Sequence, residues 1–290
     1  MTINSKTDLM TEEEFSLLRD LVSEQFGISI KGDRRLTLHM KVSHRLIILG
    51  LETYRQYFDY IISDPTGEEL FTLASHLTNK ETYFFREKAQ LDVFSELLRE
   101  IKTVRQSRKE RVLRVLSLAS SSGEEAYSLN ILIQENGLFA WDWDVRITGM
   151  DIDRNAIGKA REAVYSRNSF RSLNGEHRLL SKYFTVEGDR YILRRSLTRN
   201  VDFLHGNIVD PKSFKDIERA DAIFCRNVLI YMSDAAISKL AVNFYDCLSD
   251  TGYLFIGSAE SLIQKTNLFI PEYRHGVIVY RKNTVKKRSA

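Results

Sequence analysis

The rhythm of apolar positions changes once along the chain. From Thr11 to about Leu77 it is helical: Phe15, Leu18, Leu21, Val22 and Phe26 form one stripe, opened by a Thr11/Glu14 capping box and closed by Gly27. The spacing predicts a second helix from Asp33 to Leu49, a third from Thr53 to Ile62 that stops before Asp64-Pro65, and a fourth from Gly67 to about Leu77. On the wheel of the second helix Arg34, Lys41 and Arg45 share one side. Leu38, Val42, Leu46 and Leu49, then Leu36, Met40 and Ile47, cover the opposite side. Such a basic stripe is either a solvated face or a docking surface for an acidic partner helix.

Beyond Leu77 a polar segment runs into Tyr83, Phe84, Phe85 and Arg86, and a helix from Leu91 to Val104 follows. Short apolar runs then alternate with helical ones. Val112–Leu118 is nearly continuous in apolar residues, which suits a strand covered on both faces. Val145–Asp151, Val201–His205, Ala220–Cys225, Gly252–Gly257 and Gly276–Arg281 read as further strands, with helices at Asn155–Val164 and Asp234–Leu248. This alternation predicts an open, mostly parallel α/β sheet. It breaks between Tyr165 and Asn200, where Tyr183–Arg194 reads as a hairpin turning at Gly188-Asp189, a small antiparallel β insertion.

The loop after the first predicted strand carries the first hint of chemistry. Ala119, Ser120, Ser121, Ser122 and Gly123 permit a sharp turn and close approach of a ligand, and a helix begins at Glu124. An ordinary strand-to-helix turn with a serine cap would look similar. The glycine patterns that cradle pyrophosphate or nucleoside triphosphate are missing, and Glu124 and Glu125 stand where phosphates would be repelled. A cationic or zwitterionic nucleoside fits better, with S-adenosylmethionine the obvious candidate. Asp151 closes the next strand, where a carboxylate can accept ribose hydroxyls; Asp153 is an alternative that also suits a helix cap. Asn207 and Asn227 follow two later strands and could reach the adenine edge and the methionyl end.

Composition adds bounds. The 290 residues are 43% hydrophobic and 28% charged with a formal net charge of +3, values that demand neither nucleic acid nor a membrane as partner. No apolar run approaches the roughly 18 residues that suggest a membrane span, and the first ten residues lack a signal-type apolar core, so a cytoplasmic protein is expected. Cys225 and Cys247 fall in a predicted strand and a predicted helix, so neither a disulfide framework nor a metal site is expected.

Five segments together resemble one family. They are Thr82–Glu87, Ser121–Ser128, Met150-Asp-Ile-Asp153, Phe224-Cys-Arg-Asn-Val-Leu-Ile-Tyr231 and Ile256–Leu262, and they look like the signatures of the chemotaxis receptor methyltransferases, CheR. The resemblance runs in order from about residue 11 to 282. It implies an all-helical N-terminal domain (residues 1–76), a linker and connecting helix (77–110), and an S-adenosylmethionine-binding Rossmann-like domain (111–282). A β insertion (about 166–200) and a basic tail (283–290) complete that division. It also implies methylation of glutamate side chains on the cytoplasmic helical region of chemoreceptors, with S-adenosylhomocysteine as product.

Carried over by motif, Thr82 and Arg86 touch the cofactor, Glu124 holds its amino end, Asp151 its ribose, and Asn207 and Ile208 its adenine. Arg226 and Asn227 serve the base or methionyl region, and Tyr231 lines the methyl-transfer site. Because an attacking carboxylate loses charge as the bond forms, Arg86 is assigned to the methionine carboxylate rather than to the nucleophile. Lys80 joins this set at a position where the family commonly has Asn, and Ala119 and Ser120 stand where Gly or Cys is usual. The hairpin turn at Gly188 is short, so a monomer without the grip on a receptor's C-terminal pentapeptide is expected, docking through Arg34, Lys41 and Arg45. Two other classes remain open from the residues alone: a methyltransferase with another substrate, and a non-catalytic module that docks on receptors.

Overall fold

The computed structural model describes residues 9–30, 34–173 and 177–284, the side chains of Arg34 and His177 excepted. Two compact units emerge. One comprises the chain up to Asn79 together with Tyr231–Ala236; the other comprises Lys80–Ile230 and Ile237 onward.

The first unit holds helices α1 (Glu12–Phe26), α2 (Arg34–Leu49), α3 (Tyr54–Ser63) and α4 (Glu68–Leu77). Thr11 and Glu14 form the reciprocal capping box, and Gly27 ends α1 in the left-handed conformation with φ 70°. Phe15, Leu18, Val22, Leu38, Val42 and Leu46 are buried as the wheels require. Two expectations for α2 are corrected. Leu36, Met40 and Ile47 are exposed, because Leu38, Val42 and Leu46 already fill the side of α2 that the bundle covers. Arg45 is not a free docking residue: its guanidinium clamps the buried Glu69 through Nε at 2.8 Å and Nη2 at 2.6 Å, and Tyr57 donates to the same carboxylate at 2.7 Å. Lys41 is exposed, and the Arg34 side chain lies outside the described residues.

The second unit opens with α5 (Lys88–Ser107), then β1 (Val112–Leu118), α6 (Glu124–Asn136), β2 (Asp144–Asp151) and α7 (Arg154–Glu162). Next come β3 (Val164–Tyr165), α8 (His177–Tyr183), β4 (Phe184–Glu187), β5 (Arg190–Leu193), α9 (Arg195–Thr198), β6 (Val201–His205) and β7 (Ala220–Cys225). It closes with α10 (Asp234–Cys247), whose first residues group with the helical unit, and with β8 (Leu248–Ile256), β9 (Phe269–Arg274) and β10 (Val277–Lys282).

Seven strands form one sheet in the order β6-β2-β1-β7-β8-β10-β9. The first five run parallel, and β10 is antiparallel to both neighbours. β1 is the third of the seven, paired on both edges, and five of its seven residues are buried, as its apolar run requires. Phe94 from α5 meets Phe224 and Phe255 edge-on, and those two rings stack at 4.4 Å, fixing β7 and β8 beneath the helix. A separate three-stranded antiparallel sheet, β3-β5-β4, is the β insertion. Its third strand, β3, is too short to leave an alternating pattern. Cys225 and Cys247 are both free and buried. Residues 285–290 of the basic tail lie outside the described residues.

Candidate active site

The carboxyl ends of β1, β2, β6 and β7 bring together the loops singled out from sequence. After β1 the backbone turns through Ala119 at φ 56° and Ser121 at φ 48°, then Gly123 at φ 90°. Gly123 is required twice over: its φ disfavours a side chain, and a Cβ there would sit 2.8 Å from the Phe203 ring and 2.9 Å from Ala160. Phe85, Glu87 and Asn227 also have positive φ. Five of the nine non-glycine residues with positive φ among the described residues thus lie in or beside the motif segments, where strain of this kind can serve a ligand.

Glu124 begins α6 and is 3% exposed. Its carboxylate accepts the Ser122 hydroxyl at 2.7 Å and the Ser169 hydroxyl at 3.0 Å. Burial pushes its pKa up, and the two hydroxyls and the Lys159 charge oppose the shift. Among the described residues it forms no ion pair within 4 Å. A buried carboxylate held by hydroxyls at a helix start is an acceptor that suits an ammonium group. Asp151 is half-buried and accepts the backbone N–H groups of Ser121 at 2.7 Å and Asp153 at 2.9 Å, which locks the β1 and β2 loops together. Burial raises its pKa as well. Two carboxylates at the ends of neighbouring strands suit a cationic nucleoside such as S-adenosylmethionine.

Lys80 stands beside these loops. Its ammonium pairs with Asp153, while its carbonyl accepts the Ser121 hydroxyl at 3.3 Å. Asp153 caps α7 through the amides of Asn155 and Ala156, and although burial acts to raise its pKa, Lys80 and those amides hold it below the usual range. Thr82 is half-buried. Arg86 donates to the Glu81 carbonyl at 2.6 Å and lies 5.8 Å from the Tyr83 ring centre, with Arg171 over the same ring at 4.2 Å.

Arg226 is a brace. Its side chain is 2% exposed, its Nε meets Glu125 at 2.7 Å, and its Nη1 donates to the Arg86 carbonyl at 2.8 Å. Asn227 is held in the left-handed region by two carboxylates: Glu260 accepts its backbone N–H at 2.9 Å, and Glu87 accepts its side-chain amide at 3.0 Å. Glu260 also takes the N–H groups of Gly257 and Ile230. The Asn207 side chain accepts the Val209 N–H at 3.0 Å, and Asn243 ties down the carbonyls of Ile208 and Val209.

Tyr231 belongs to the helical unit, where its carbonyl accepts the Ser29 N–H at 2.7 Å and its neighbour Met232 bridges to Ile28. Sequence reading missed Ser169, Glu87 and the Arg226–Glu125 pair. Glu87 and Glu260 did lie inside quoted motifs, Thr82–Glu87 and Ile256–Leu262, and that was their only signal.

A mostly parallel sheet with two carboxylates beyond its first two strands suits an S-adenosylmethionine-dependent methyltransferase, the class to which the family match assigns it. Residues 80–275 match the CheR methyltransferase SAM-binding domain, and residues 13–78 match the CheR methyltransferase all-alpha domain. The chain belongs to the CheR methyltransferase family. It is 31% identical to chemotaxis protein methyltransferase 2 of Vibrio cholerae over 281 residues, 96% of each chain. It is 28% identical to the chemotaxis protein methyltransferase of Borreliella burgdorferi, covering 89% of this chain and 92% of that one. A third relative, chemotaxis protein methyltransferase 2 of Pseudomonas aeruginosa, is 30% identical over 89% of this chain and 90% of its own.

Proposed function

We propose that the protein methylates glutamate side chains on the cytoplasmic helical region of chemoreceptors, forming glutamyl methyl esters, and that it works in the cytoplasm. The observation that carries this reading is the pair of carboxylates, Glu124 and Asp151, both bonded to the loop after β1, within a chain whose relatives are named for chemotaxis. Among the described residues no helix is long and apolar enough to cross a membrane.

S-adenosylmethionine, when bound, supplies an electrophilic methyl group. The residues of this chain do the rest. Glu124 takes the ammonium, Asp151 the ribose hydroxyls, and Asn207 with Ile208 the adenine; Thr82 and Arg86 hold the methionyl carboxylate end. Arg226 keeps Arg86 and Glu125 in register, Asn227 borders the methionyl region, and Tyr231 orients the acceptor. A glutamate is ionised at neutral pH, with a reference pKa of about 4.3, so its oxygen attacks without a base. Catalysis then rests on alignment, which accounts for many-fold acceleration when the reacting atoms are held near contact. The neutralisation of Arg226 by Glu125 suits this scheme, because an unpaired cation on the nucleophile would favour the ground state.

Docking on the receptor is assigned to the exposed Lys41 side of α2 without Arg45. The tight turn between β4 and β5 leaves no long loop for a C-terminal tether, and the protein is taken to act as a monomer.

The test is incubation with methyl-labelled S-adenosylmethionine and receptor cytoplasmic fragments. The expected outcome is label on the fragments that is released as methanol in base and is absent when the acceptor glutamates are changed to alanine. Base-stable label, or transfer to nucleic acid instead, would refute the assignment.

A further inference from the structure

The turn Arg167–Phe170 lies about 45 residues beyond the cofactor loop, and one of its residues, through its side chain and its backbone, bonds both halves of the site. The Ser169 hydroxyl donates to Glu124 Oε1 at 3.0 Å, while the Ser169 carbonyl accepts the Phe84 N–H at 2.8 Å, two residues before Arg86. The turn is firmly seated. Phe170 stacks on Phe84 with ring centres 4.9 Å apart, the Ser172 hydroxyl donates to the Phe84 carbonyl, and Tyr165 donates to the Ser122 carbonyl at 2.9 Å. Ser169 thus joins the loop after β1 to the segment that carries Thr82 and Arg86.

Glu124 depends on that hydroxyl. Its other oxygen takes Ser122 from its own loop, so without Ser169 Oε1 would have no side-chain donor among the described residues. The charged and titratable groups that bear on it are Lys159 from α7 and the Tyr165 phenol from β3, and neither bonds the carboxylate. A buried carboxylate stripped of a donor turns or protonates, and in both cases it loses its grip on a cation.

We propose that Ser169 is a positioning residue for the cofactor's ammonium group, holding the Glu124 carboxylate ionised and aimed, and that the β insertion thereby takes part in cofactor binding. The proposal rests on the assignment of Glu124 to the ammonium.

Calorimetry on the full chain tests it with three ligands: S-adenosylmethionine, S-adenosylhomocysteine and 5′-deoxy-5′-methylthioadenosine, which lacks the amino-acid end. Ser169→Ala is expected to weaken the first two about tenfold, the loss of one hydrogen bond to a charged group. Binding of the third should be unchanged, and Ser169→Thr should restore the first two. The pH below which S-adenosylmethionine affinity fails should move upward in Ser169→Ala. Equal weakening of all three ligands would show that the serine only supports the loop and would overturn the proposal, as would unchanged affinity for S-adenosylmethionine. Glu124→Gln is the separate control: if it leaves S-adenosylmethionine binding intact, the ammonium assignment itself fails, whatever Ser169→Ala does.

Discussion

Lys80 and Asp153 form an ion pair across two loops of the methyltransferase unit, and Asp153 spends its other oxygen on the start of α7. The pair draws the Lys80 ammonium toward Asp153. Asp153→Ala is expected to do two things: remove a helix cap, at about 1 kcal/mol, and release a cation beside a site built for a cation. Affinity for S-adenosylmethionine should fall several-fold at low ionic strength and recover at high salt, where exposed charge is screened. The double variant with Lys80→Asn should bind like the parent. A double variant that binds as weakly as Asp153→Ala alone would exonerate the ammonium.

Glu124 sets up a contest between stability and binding. Its folded pKa is raised by burial, so the folded state holds an extra proton between the unfolded reference of about 4.3 and the raised value. Stability therefore falls as pH rises through that window, and at neutral pH the ionised carboxylate weighs against folding. Glu124→Gln should melt higher than the parent at neutral pH without ligand, with the advantage fading near about pH 4. Melting curves at several pH values, with and without S-adenosylmethionine, measure this; ligand should stabilise only the parent.

The Arg226–Glu125 pair lies at 2% and 13% side-chain exposure, so breaking it strands a charge. Arg226→Ala should cost about 3–5 kcal/mol in urea unfolding, and the double variant with Glu125→Ala should cost less than the two single changes summed. Additive losses would mean that the two groups do not stabilise each other.

Ala119 sits at φ 56° in the loop after β1, a conformation that a side chain resists by about 1–2 kcal/mol. Ala119→Gly is expected to raise the melting temperature by about 2–4 °C without weakening cofactor binding. A lower melting temperature would show that the Ala119 methyl packs better than its backbone suffers.

In α2 two cations with similar sequence signals should behave differently. Lys41→Ala should slow receptor methylation and leave unfolding unchanged, whereas Arg45→Ala should destabilise the helical unit by about 3 kcal/mol or more, since Glu69 would be buried alone. Receptor methylation rates and urea unfolding of both variants separate the roles. Equal stability of the two would contradict the inward ion pair.

The strand-helix alternation and the loop after β1 were legible because burial on both faces and a tight turn leave local marks, as Val112–Leu118 and Gly123 do. The fate of Arg45 was not, since its helical wheel is silent about a glutamate 24 residues away. Leu36, Met40 and Ile47 misled for a related reason: apolarity marks what can be buried, and the packing of three other helices decides what is. The seventh strand of the sheet, β9, escaped notice because Pro271, Glu272 and Arg274 interrupt its pattern, as an edge position permits. Ser169 carries no pattern at all, and Glu87 only its place at the end of a quoted motif, because their roles exist only once distant segments meet.

The two sealed thiols supply a clock. Cys225 ends β7 directly before Arg226, with burial pushing its thiol up, and Cys247 at the end of α10 is pushed up to about 11. Neither will react with an alkylating reagent until the sheet around it parts. The labelling rate at Cys225 therefore times how often the strand beside the cofactor loop breathes open, and any ligand that seats itself there should lengthen the wait.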